Sequence, residues 1–165
     1  MNAGPLIRRL VRAANVARLE CIVIGNAGAA LNGAPVTTLD FDLFVRDTGK
    51  AMEKIRALAR ELGADVIPAT SPLSTMVRVE NEREAIYLDL IDRPAGLGSF
   101  AAVRARAQEL KLGAPRSYVS VASLADIIRS KKALGRPKDL SVLPILELTL
   151  SEARKAKKAD RRRHA

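Results

Sequence analysis

Residues 37–45 read Thr-Thr-Leu-Asp-Phe-Asp-Leu-Phe-Val and carry the clearest structural pattern in the chain. Side chains alternate between the two faces of a β-strand, so this pattern predicts a strand over residues 37–46. One face is apolar (Leu39, Phe41, Leu43, Val45), and the other carries Thr38, Asp40 and Asp42. Two carboxylates on one face repel each other, a cost that a divalent cation removes, and their hard oxygens favour Mg²⁺ or Mn²⁺. Taken alone, the pattern also fits a strand end with two solvated aspartates.

A second strand is predicted over residues 85–91, Ala-Ile-Tyr-Leu-Asp-Leu-Ile. Asp89 is a lone acid in the middle of this apolar strand, where an unpaired charge is costly. If the strand lies beside the first, Asp40, Asp42 and Asp89 converge on one cleft, where two metal ions can orient a nucleoside triphosphate and activate a hydroxyl. Arg78, on the preceding predicted strand, lies near that cleft, and a surface ion pair is favoured there over a phosphate contact.

A glycine-containing turn precedes the first carboxylate strand. The apolar run Cys21–Ile24 predicts a short buried strand that stops at Gly25, and residues 27–31 predict a short helix. Such a turn exposes backbone N–H groups that suit the oxygens of a triphosphate. Its spacing matches neither the P-loop nor the dinucleotide-binding fingerprint, and a turn of this kind is more often only a tight connection. Its meaning comes from the carboxylate strand that follows it.

Together these segments resemble the minimal nucleotidyltransferase domain of the DNA polymerase beta superfamily. That family has a Gly-Gly or Gly-Ser turn, a short helix, an Asp-x-Asp strand and a third Asp on a later strand. The matching residues are Gly25-Asn26, Asp40-Phe-Asp42 and Leu88-Asp89-Leu90-Ile91. Residues 121–139, with Lys131 and Arg136-Pro-Lys-Asp139, are similar to the C-terminal helices of the toxin-like branch associated with abortive infection.

The resemblance implies an α/β fold with a nucleotidyltransferase-type mixed sheet flanked by helices. It also implies nucleotidyl transfer from a nucleoside triphosphate with Mg²⁺ or Mn²⁺, in which Asp40, Asp42 and Asp89 are catalytic and hold the metal. The residues implied to contact the nucleotide are Gly25, Asn26, Lys131, Arg136 and Asp139. For Arg136 and Asp139, a simple pairing that fixes a helix junction has equal weight. Asn26 and Gly28 depart from the family's turn, which puts nucleotide affinity and full activity in question.

The rest of the sequence predicts one domain over residues 1–150 with a mostly helical C-terminal third, followed by a basic tail over residues 151–165. Apolar periodicity and turn residues predict helices over 6–19, 52–62, 100–110, 123–135 and from 138 onward, and strands over 66–68, 75–80 and 117–121. Ser123 and Asp126 form a capping-box pattern at one helix start. The single cysteine, Cys21, falls in a predicted buried strand, which excludes a disulfide framework and a cysteine metal cluster.

The chain is strongly basic, with 28 Lys and Arg against 18 Asp and Glu and a net charge of +10. Residues 151–165 hold seven of the cations and two of the acids, which leaves 21 cations and 16 acids in the body. A basic body with a basic tail favours a polyanionic partner, nucleic acid above nucleotide phosphates. The aromatic content of 3% gives no support for reading single strands by ring stacking. A solvated helix end is the commoner meaning of such a charge run.

These observations predict a cytoplasmic nucleotidyltransferase whose acceptor is RNA, such as a transfer RNA end. The resemblance adds a toxin role with an antitoxin protein as partner. No apolar run approaches the roughly 18 residues of a membrane span, so no membrane partner is expected. Two alternatives stay open. Transfer to a small molecule such as an aminoglycoside is disfavoured by the basic charge. An impaired RNA- or protein-binding relic is supported by Asn26 and Gly28 and opposed by the presence of all three predicted ligand acids.

Overall fold

A computed structural model of the chain describes residues 4–67, 76–112 and 118–163. Within these residues, a seven-stranded sheet carries helices on both faces. The helices are α1 (Gly4–Val16), α2 (Gly25–Leu31), α3 (Ala51–Leu62), α4 (Phe100–Arg104), α5 (Leu124–Leu134) and α6 (Pro137–Arg163). The strands are β1 (Cys21–Ile24), β2 (Phe41–Val45), β3 (Asp65–Ile67), β4 (Met76–Asn81), β5 (Ile86–Ile91), β6 (Gln108–Lys111) and β7 (Tyr118–Val121).

The strand order across the sheet is β3-β4-β5-β2-β1-β7-β6. Strand β2 pairs antiparallel with β1 and parallel with β5, and β1 pairs parallel with β7. The pairs β3–β4, β4–β5 and β6–β7 are antiparallel, so the sheet is mixed. Because β2 lies between β1 and β5, its polar face meets the end of the glycine turn on one side and the second carboxylate strand on the other.

Two apolar clusters hold the helices to the sheet. On one face, α1 and α3 bury side chains such as Leu10 and Leu58 against strand residues that include Leu43 and Leu88. On the opposite face, α4, α5 and α6 pack with Ile22 and Phe44, and Phe44 meets Phe100 edge to face at 5.2 Å. Asp42 lies two residues before Phe44, so the two side chains are on the same face of β2. The Asp42 carboxylate is therefore on the face of the sheet that packs against α5 and α6.

Local signals in the sequence set several element boundaries. Ser123 caps α5 by accepting a hydrogen bond from the Asp126 N–H, as the capping-box pattern predicted. Gly63 and Gly135, with φ of +60° and +62°, end α3 and α5 in the left-handed conformation that glycine adopts without steric cost. Between β4 and β5, the turn Glu82–Glu84 is a 3₁₀ helix whose first residue follows the Asn81 cap.

Most predicted elements are confirmed, but two predictions about local structure are wrong. The predicted helix over 100–110 ends at Arg104, and Gln108–Lys111 instead forms the edge strand β6, which is held by main-chain pairing with β7. Strand β2 begins at Phe41 and not at residue 37, because the chain bends at residues 39–40. Leu39 is therefore 73% exposed and does not join the apolar face predicted for it. Pro68, Thr75 and Ser117, at the ends of predicted strands, lie outside the described residues.

The last helix continues without interruption from Pro137 into the basic tail, as expected, and contains Pro144 in its interior. None of the helices described combines the length and the apolar composition that a membrane span requires.

Candidate active site

Two of the predicted carboxylates are register partners. Parallel pairing of β2 with β5 places Asp42 directly opposite Asp89. On its other side, Asp42 is the partner of Ile24, the residue before the glycine turn. Asp40 lies just before β2, and its Oδ1 accepts a 2.6 Å hydrogen bond from the Thr38 hydroxyl. The structure therefore brings the predicted acids to one place, next to the predicted phosphate turn.

The electrostatics of Asp42 reflect that crowding. Burial raises the pKa of Asp42 to about 6, and the charges of Asp40 and Asp89 add to the increase. Positive charge on Lys131 and Arg136 acts in the opposite direction on the same pKa. Asp42 thus lies at the centre of a cluster with acids on its own sheet and cations on the neighbouring helices.

Gly25 lies so close to Asp42 that a side chain at this position would require the carboxylate to move. A Cβ added to Gly25 would lie 1.8 Å from Asp42 Oδ2, far inside van der Waals contact. Gly25 also has a φ of +62°, which L side chains rarely adopt. The glycine of the predicted phosphate turn is therefore required twice, once by its backbone conformation and once by the carboxylate beside it.

The two departures from the family's turn have different structural settings. A Cβ added to Gly28 would lie 3.0 Å from both the Val23 carbonyl oxygen and Ile127 Cδ1, so this glycine allows α2 to pack tightly against β1 and α5. Asn26 lies in the first turn of α2, and its buried Oδ1 has no hydrogen-bond partner among the described residues. Gly28 is thus explained by packing, whereas Asn26 holds an unsatisfied buried acceptor in the turn.

Asp89 is not the unpaired acid that the sequence suggested. Arg78, its partner on the antiparallel strand β4, donates from Nε to Oδ1 at 2.7 Å and from Nη2 to Oδ2 at 2.8 Å. The Asp89 side chain is 10% exposed, so the guanidinium compensates a largely buried charge. The ion pair predicted for Arg78 is present, and its partner is a predicted metal ligand.

The predicted nucleotide contacts in the C-terminal helices form a network of their own. Asp139 is buried at the start of α6 and accepts from Lys131 Nζ at 3.2 Å and from Arg136 Nε at 2.5 Å. Burial alone would raise the pKa of Asp139, but the hydrogen bonds from Arg136 and Lys131 outweigh it and lower the pKa. Arg136 and Asp139 therefore do pair at the helix junction, while Arg136 stays 51% exposed on its remaining surface.

Asp126 is another buried acid, and the sequence did not identify it as the centre of a group of ion pairs. Asp126 accepts from Arg106 Nη2 and from Arg129 Nη1, each at 2.9 Å, in addition to its role in the cap. Arg106 lies between α4 and β6, a region predicted as helix, and is twenty residues distant in sequence. No local pattern in the sequence indicates this pairing, because it depends on the position of the segment after α4, which carries Arg106, relative to α5, which carries Asp126.

The fit of these residues to a divalent cation is uneven. Carboxylate oxygens are the ligands that Mg²⁺ prefers, and Asp40 is close enough to Asp42 to raise its pKa. Over residues 4–67, 76–112 and 118–163, however, no group of three or more His, Cys, Asp or Glu side chains is positioned to hold a metal ion. Asp40 and Asp42 have oxygens of the type that Mg²⁺ prefers, whereas both carboxylate oxygens of Asp89 already accept hydrogen bonds from Arg78.

Comparison with known proteins identifies the fold. No protein-family model matches the chain, and no curated protein matches it by sequence. A crystal structure of ANT(2'')-Ia in complex with adenylyl-2''-tobramycin is 20% identical, covers 100% of both chains and has a TM-score of 0.62. A solution structure of the antibiotic-resistance factor ANT(2'')-Ia is 18% identical, covers 98% of this chain and 96% of that one, and has a TM-score of 0.59.

At these identities the comparison shows the fold. The mixed sheet with flanking helices and the helical C-terminal part form a nucleotidyltransferase-type fold, which confirms the predicted fold class. The roles of the site residues and the resemblance to the toxin-like branch stay predictions.

Proposed function

We propose that this chain transfers a nucleoside monophosphate from a nucleoside triphosphate to an acceptor hydroxyl. The observation that supports this most is the pairing of Asp42 with Asp89 across two parallel strands, with Asp40 close by and Gly25 against Asp42. In a fold shared with ANT(2'')-Ia, this arrangement offers both carboxylate ligands and a phosphate turn. The acceptor oxygen forms a bond to the α-phosphorus, pyrophosphate leaves, and the hydroxyl proton passes to a base.

Asp40 and Asp42 are the residues we assign to the cation. When bound, a divalent cation neutralises phosphate charge and lowers the pKa of an attacking hydroxyl. Thr38 orients Asp40 through its hydrogen bond, and Gly25 leaves room for the Asp42 carboxylate. Asp89 is assigned as the third ligand and as the group that helps remove the hydroxyl proton, a role that requires Arg78 to release at least one of its oxygens.

The cations on the helices take separate roles in this proposal. Arg136 donates from Nε to Asp139, and its side chain is half exposed. Its remaining N–H groups can therefore donate to a phosphate oxygen. Lys131 is buried on Asp139, and we assign it to positioning that acid and, through it, Arg136. Asn26, with its unsatisfied Oδ1, and Gly25 line the turn that would carry the triphosphate.

Two classes of acceptor have support. The structure of ANT(2'')-Ia with adenylyl-2''-tobramycin supports a small hydroxylated molecule such as an aminoglycoside. The net charge of +10 supports RNA, because a cationic drug is repelled by a basic protein whereas a polyanion is attracted. A toxin role with an antitoxin partner is supported by the sequence resemblance alone.

A transfer assay tests the proposal. The purified chain is incubated with each radiolabelled nucleoside triphosphate and Mg²⁺, with either total RNA or a set of aminoglycosides as acceptor. An Asp40→Ala/Asp42→Ala variant is compared with Asp47→Ala/Asp65→Ala, which removes the same charge from exposed positions. Label that enters one acceptor class with the wild type and the exposed-site variant, but not with the site variant, supports the proposal and names the acceptor. Absence of transfer and of Mg²⁺-dependent nucleotide binding would favour the relic of the fold.

A further inference from the structure

The last half of α6 carries a concentration of charge that the proposed site does not use. Residues 151–163 remain helical and every one of them is exposed. They contain seven Lys or Arg and two acids.

Five of the seven cations in residues 151–163 lie on one side of this helix. An α-helix turns about 100° per residue, which puts Arg154, Lys155, Lys158, Arg161 and Arg162 within an arc of about 120°. The opposite side carries Glu152, Ala153, Ala156, Ala159 and Asp160, together with one cation, Arg163. We call the five cations of the first arc the basic stripe.

The basic stripe continues into a groove between α5 and α6. This groove has a volume of about 530 Å³, and its lining includes the apolar Ile128 and Leu150 and the cations Lys132, Arg154, Lys155 and Lys158. Lys132 pairs with Glu147 at 2.6 Å and Lys155 with Glu152 at 2.8 Å. Arg154 and Lys158 make no ion pair with any residue that the structure describes, so their charges are available to a ligand.

Distance along α6 limits what kind of ligand could use both the stripe and the cleft. Asp139, in the network beside Asp42, lies 15 residues before Arg154, or about 22 Å along a helix that rises 1.5 Å per residue. Arg162 lies a further 12 Å or so along. A nucleotide or a small acceptor is too short to contact both ends, whereas a folded RNA is long enough.

The chemistry of the stripe favours a phosphate backbone. The side of the helix opposite the stripe has alanines, two acids and Arg163 and no bulky apolar residue, unlike a helix that lies in a membrane surface. Residues 151–163 contain no aromatic residue for base stacking, so contacts would be to phosphates and independent of sequence. Structured RNA is recognised largely through such backbone contacts.

We propose that the basic stripe and the α5–α6 groove bind the phosphate backbone of a structured RNA, holding it so that one end reaches the carboxylate cleft. The delivery of an end to the cleft rests on the proposed nucleotidyl transfer, whereas the binding itself does not.

The test measures binding separately from catalysis. Fluorescein-labelled transfer RNA is titrated with the chain in EDTA, and the anisotropy is followed over a range of salt concentrations. Arg154→Glu/Lys158→Glu/Arg161→Glu is compared with Arg8→Glu/Arg12→Glu/Arg56→Glu, which makes the same charge change at exposed positions of α1 and α3. Circular dichroism verifies that each variant is folded.

We expect the stripe variant to bind the RNA at least ~10-fold more weakly and to lose about 2–3 from the slope of log affinity against log salt, since each phosphate contact contributes about 0.9. The control variant should stay within about 3-fold of the wild type, because its charges act only at long range. Equal weakening in both variants, or none in the stripe variant, would overturn the proposal. So would polyglutamate that competes as well as unlabelled RNA, which would indicate an acidic protein partner.

The two proposals fail in different ways. RNA binding that depends on the stripe, with no label transferred to any acceptor, would support the proposed RNA-binding surface and contradict the proposed nucleotidyl transfer. Label transferred to RNA with the same KM in the stripe variant and the wild type would establish the function and remove the surface.

Discussion

Arg78 donates two hydrogen bonds to Asp89, one to each carboxylate oxygen, from the antiparallel strand next to it. The same Asp89 is the register partner of Asp42 on the other side. Asp89 therefore lies between a cation that neutralises it and an acid that shares its proposed metal. A guanidinium and a divalent cation compete for the same oxygens, so the occupancy of one limits that of the other.

Removal of Arg78 should strengthen metal binding and weaken the fold. In Arg78→Gln we expect several-fold tighter Mn²⁺ binding by calorimetry, because Asp89 gains free oxygens. The free energy of unfolding in EDTA should fall by about 1–3 kcal/mol, the cost of leaving a buried charged acceptor unpaired. Arg83→Gln, in the exposed turn after β4, is the control and should change neither quantity. Unchanged Mn²⁺ affinity in Arg78→Gln would show that Asp89 is not a ligand.

Asp42 should destabilise the metal-free protein at neutral and higher pH. Its folded pKa of about 6 lies above the ordinary value of 3.8, so its stabilising contribution is present below about pH 4 and is lost as the pH rises through 6. Near pH 8, the free energy of unfolding of Asp42→Asn, measured by urea denaturation, should therefore exceed that of the wild type by on the order of 1–3 kcal/mol. Near pH 4 the variant should show no such advantage.

The control for this pH dependence is Asp47→Asn, at an exposed position whose ion pair within residues 4–67, 76–112 and 118–163 is with Arg93 at 4.0 Å. It should follow the wild type across the whole range. An Asp42→Asn advantage that is the same at both pH values would contradict the charge explanation and point to packing. The stabilised variant should also have lost nucleotidyl transfer.

A side chain at Gly25 should destabilise the protein, partly through its contact with Asp42, and a second mutation at Asp42 can remove that contact. Gly25→Ala should lower the free energy of unfolding by about 2–4 kcal/mol, through a left-handed alanine and a collision with Asp42 Oδ2. Gly63→Ala is the matched control, since its φ of +60° is the same but the nearest atom to an added Cβ is 3.8 Å away. It should lose about 1 kcal/mol.

In the double variant Gly25→Ala/Asp42→Gly the collision is gone, so the alanine should cost only its left-handed backbone energy when the double variant is compared with Asp42→Gly alone. A double-mutant cycle by urea denaturation measures the coupling between the two positions. Additive effects would show that the Gly25–Asp42 contact does not restrict the turn.

Asp139 should be a large contributor to stability at neutral pH. Asp139→Asn leaves the buried Lys131 without its counter-charge, which we expect to lower the free energy of unfolding by about 3 kcal/mol or more. The pKa of Asp139 is lowered in the folded state, so this contribution is present above the ordinary pKa of the group and is lost as the pH falls. The difference between variant and wild type should therefore shrink in acid.

Glu147→Gln is the comparison for Asp139→Asn, because it removes an exposed ion pair with Lys132 on the same two helices. It should cost less than about 1 kcal/mol. A similar loss for both variants, measured by urea denaturation at neutral pH, would show that the Asp139 network is no stronger than a surface pair.

Much of the fold, and the position of the candidate carboxylates Asp42 and Asp89 on one face of the sheet, could be predicted because both leave local patterns. Alternation over residues 41–45 and 86–91 is a direct consequence of strand geometry, and it separated Asp42 and Asp89 from the apolar positions correctly. Ser123, Gly63 and Gly135 mark helix ends through hydrogen bonding and backbone conformation, which also depend on a few adjacent residues.

What could not be predicted depends on residues that are distant in sequence. Parity alone did not determine that Arg78 and Asp89 are register partners, because register depends on the whole hairpin. Strand β6 has little alternating apolar character and exists because β7 offers an unpaired edge. The bend before Phe41 removed Leu39 from the core, and its cause, the Thr38–Asp40 hydrogen bonding, competes with strand pairing at a position where the sequence still alternates.

Helix α6 joins the Asp139 network to the basic stripe as one continuous element of 27 residues. In a continuous helix, the number of residues between two positions fixes both the distance between them and their relative rotation about the helix axis. One residue inserted after Leu150 would turn the stripe by about 100° away from the groove, whereas seven would move it outward by about 10 Å and restore its direction to within about 20°. In the proposed RNA complex, the spacing between Asp139 and Arg154 sets how far the bound phosphate backbone lies from the carboxylate cleft.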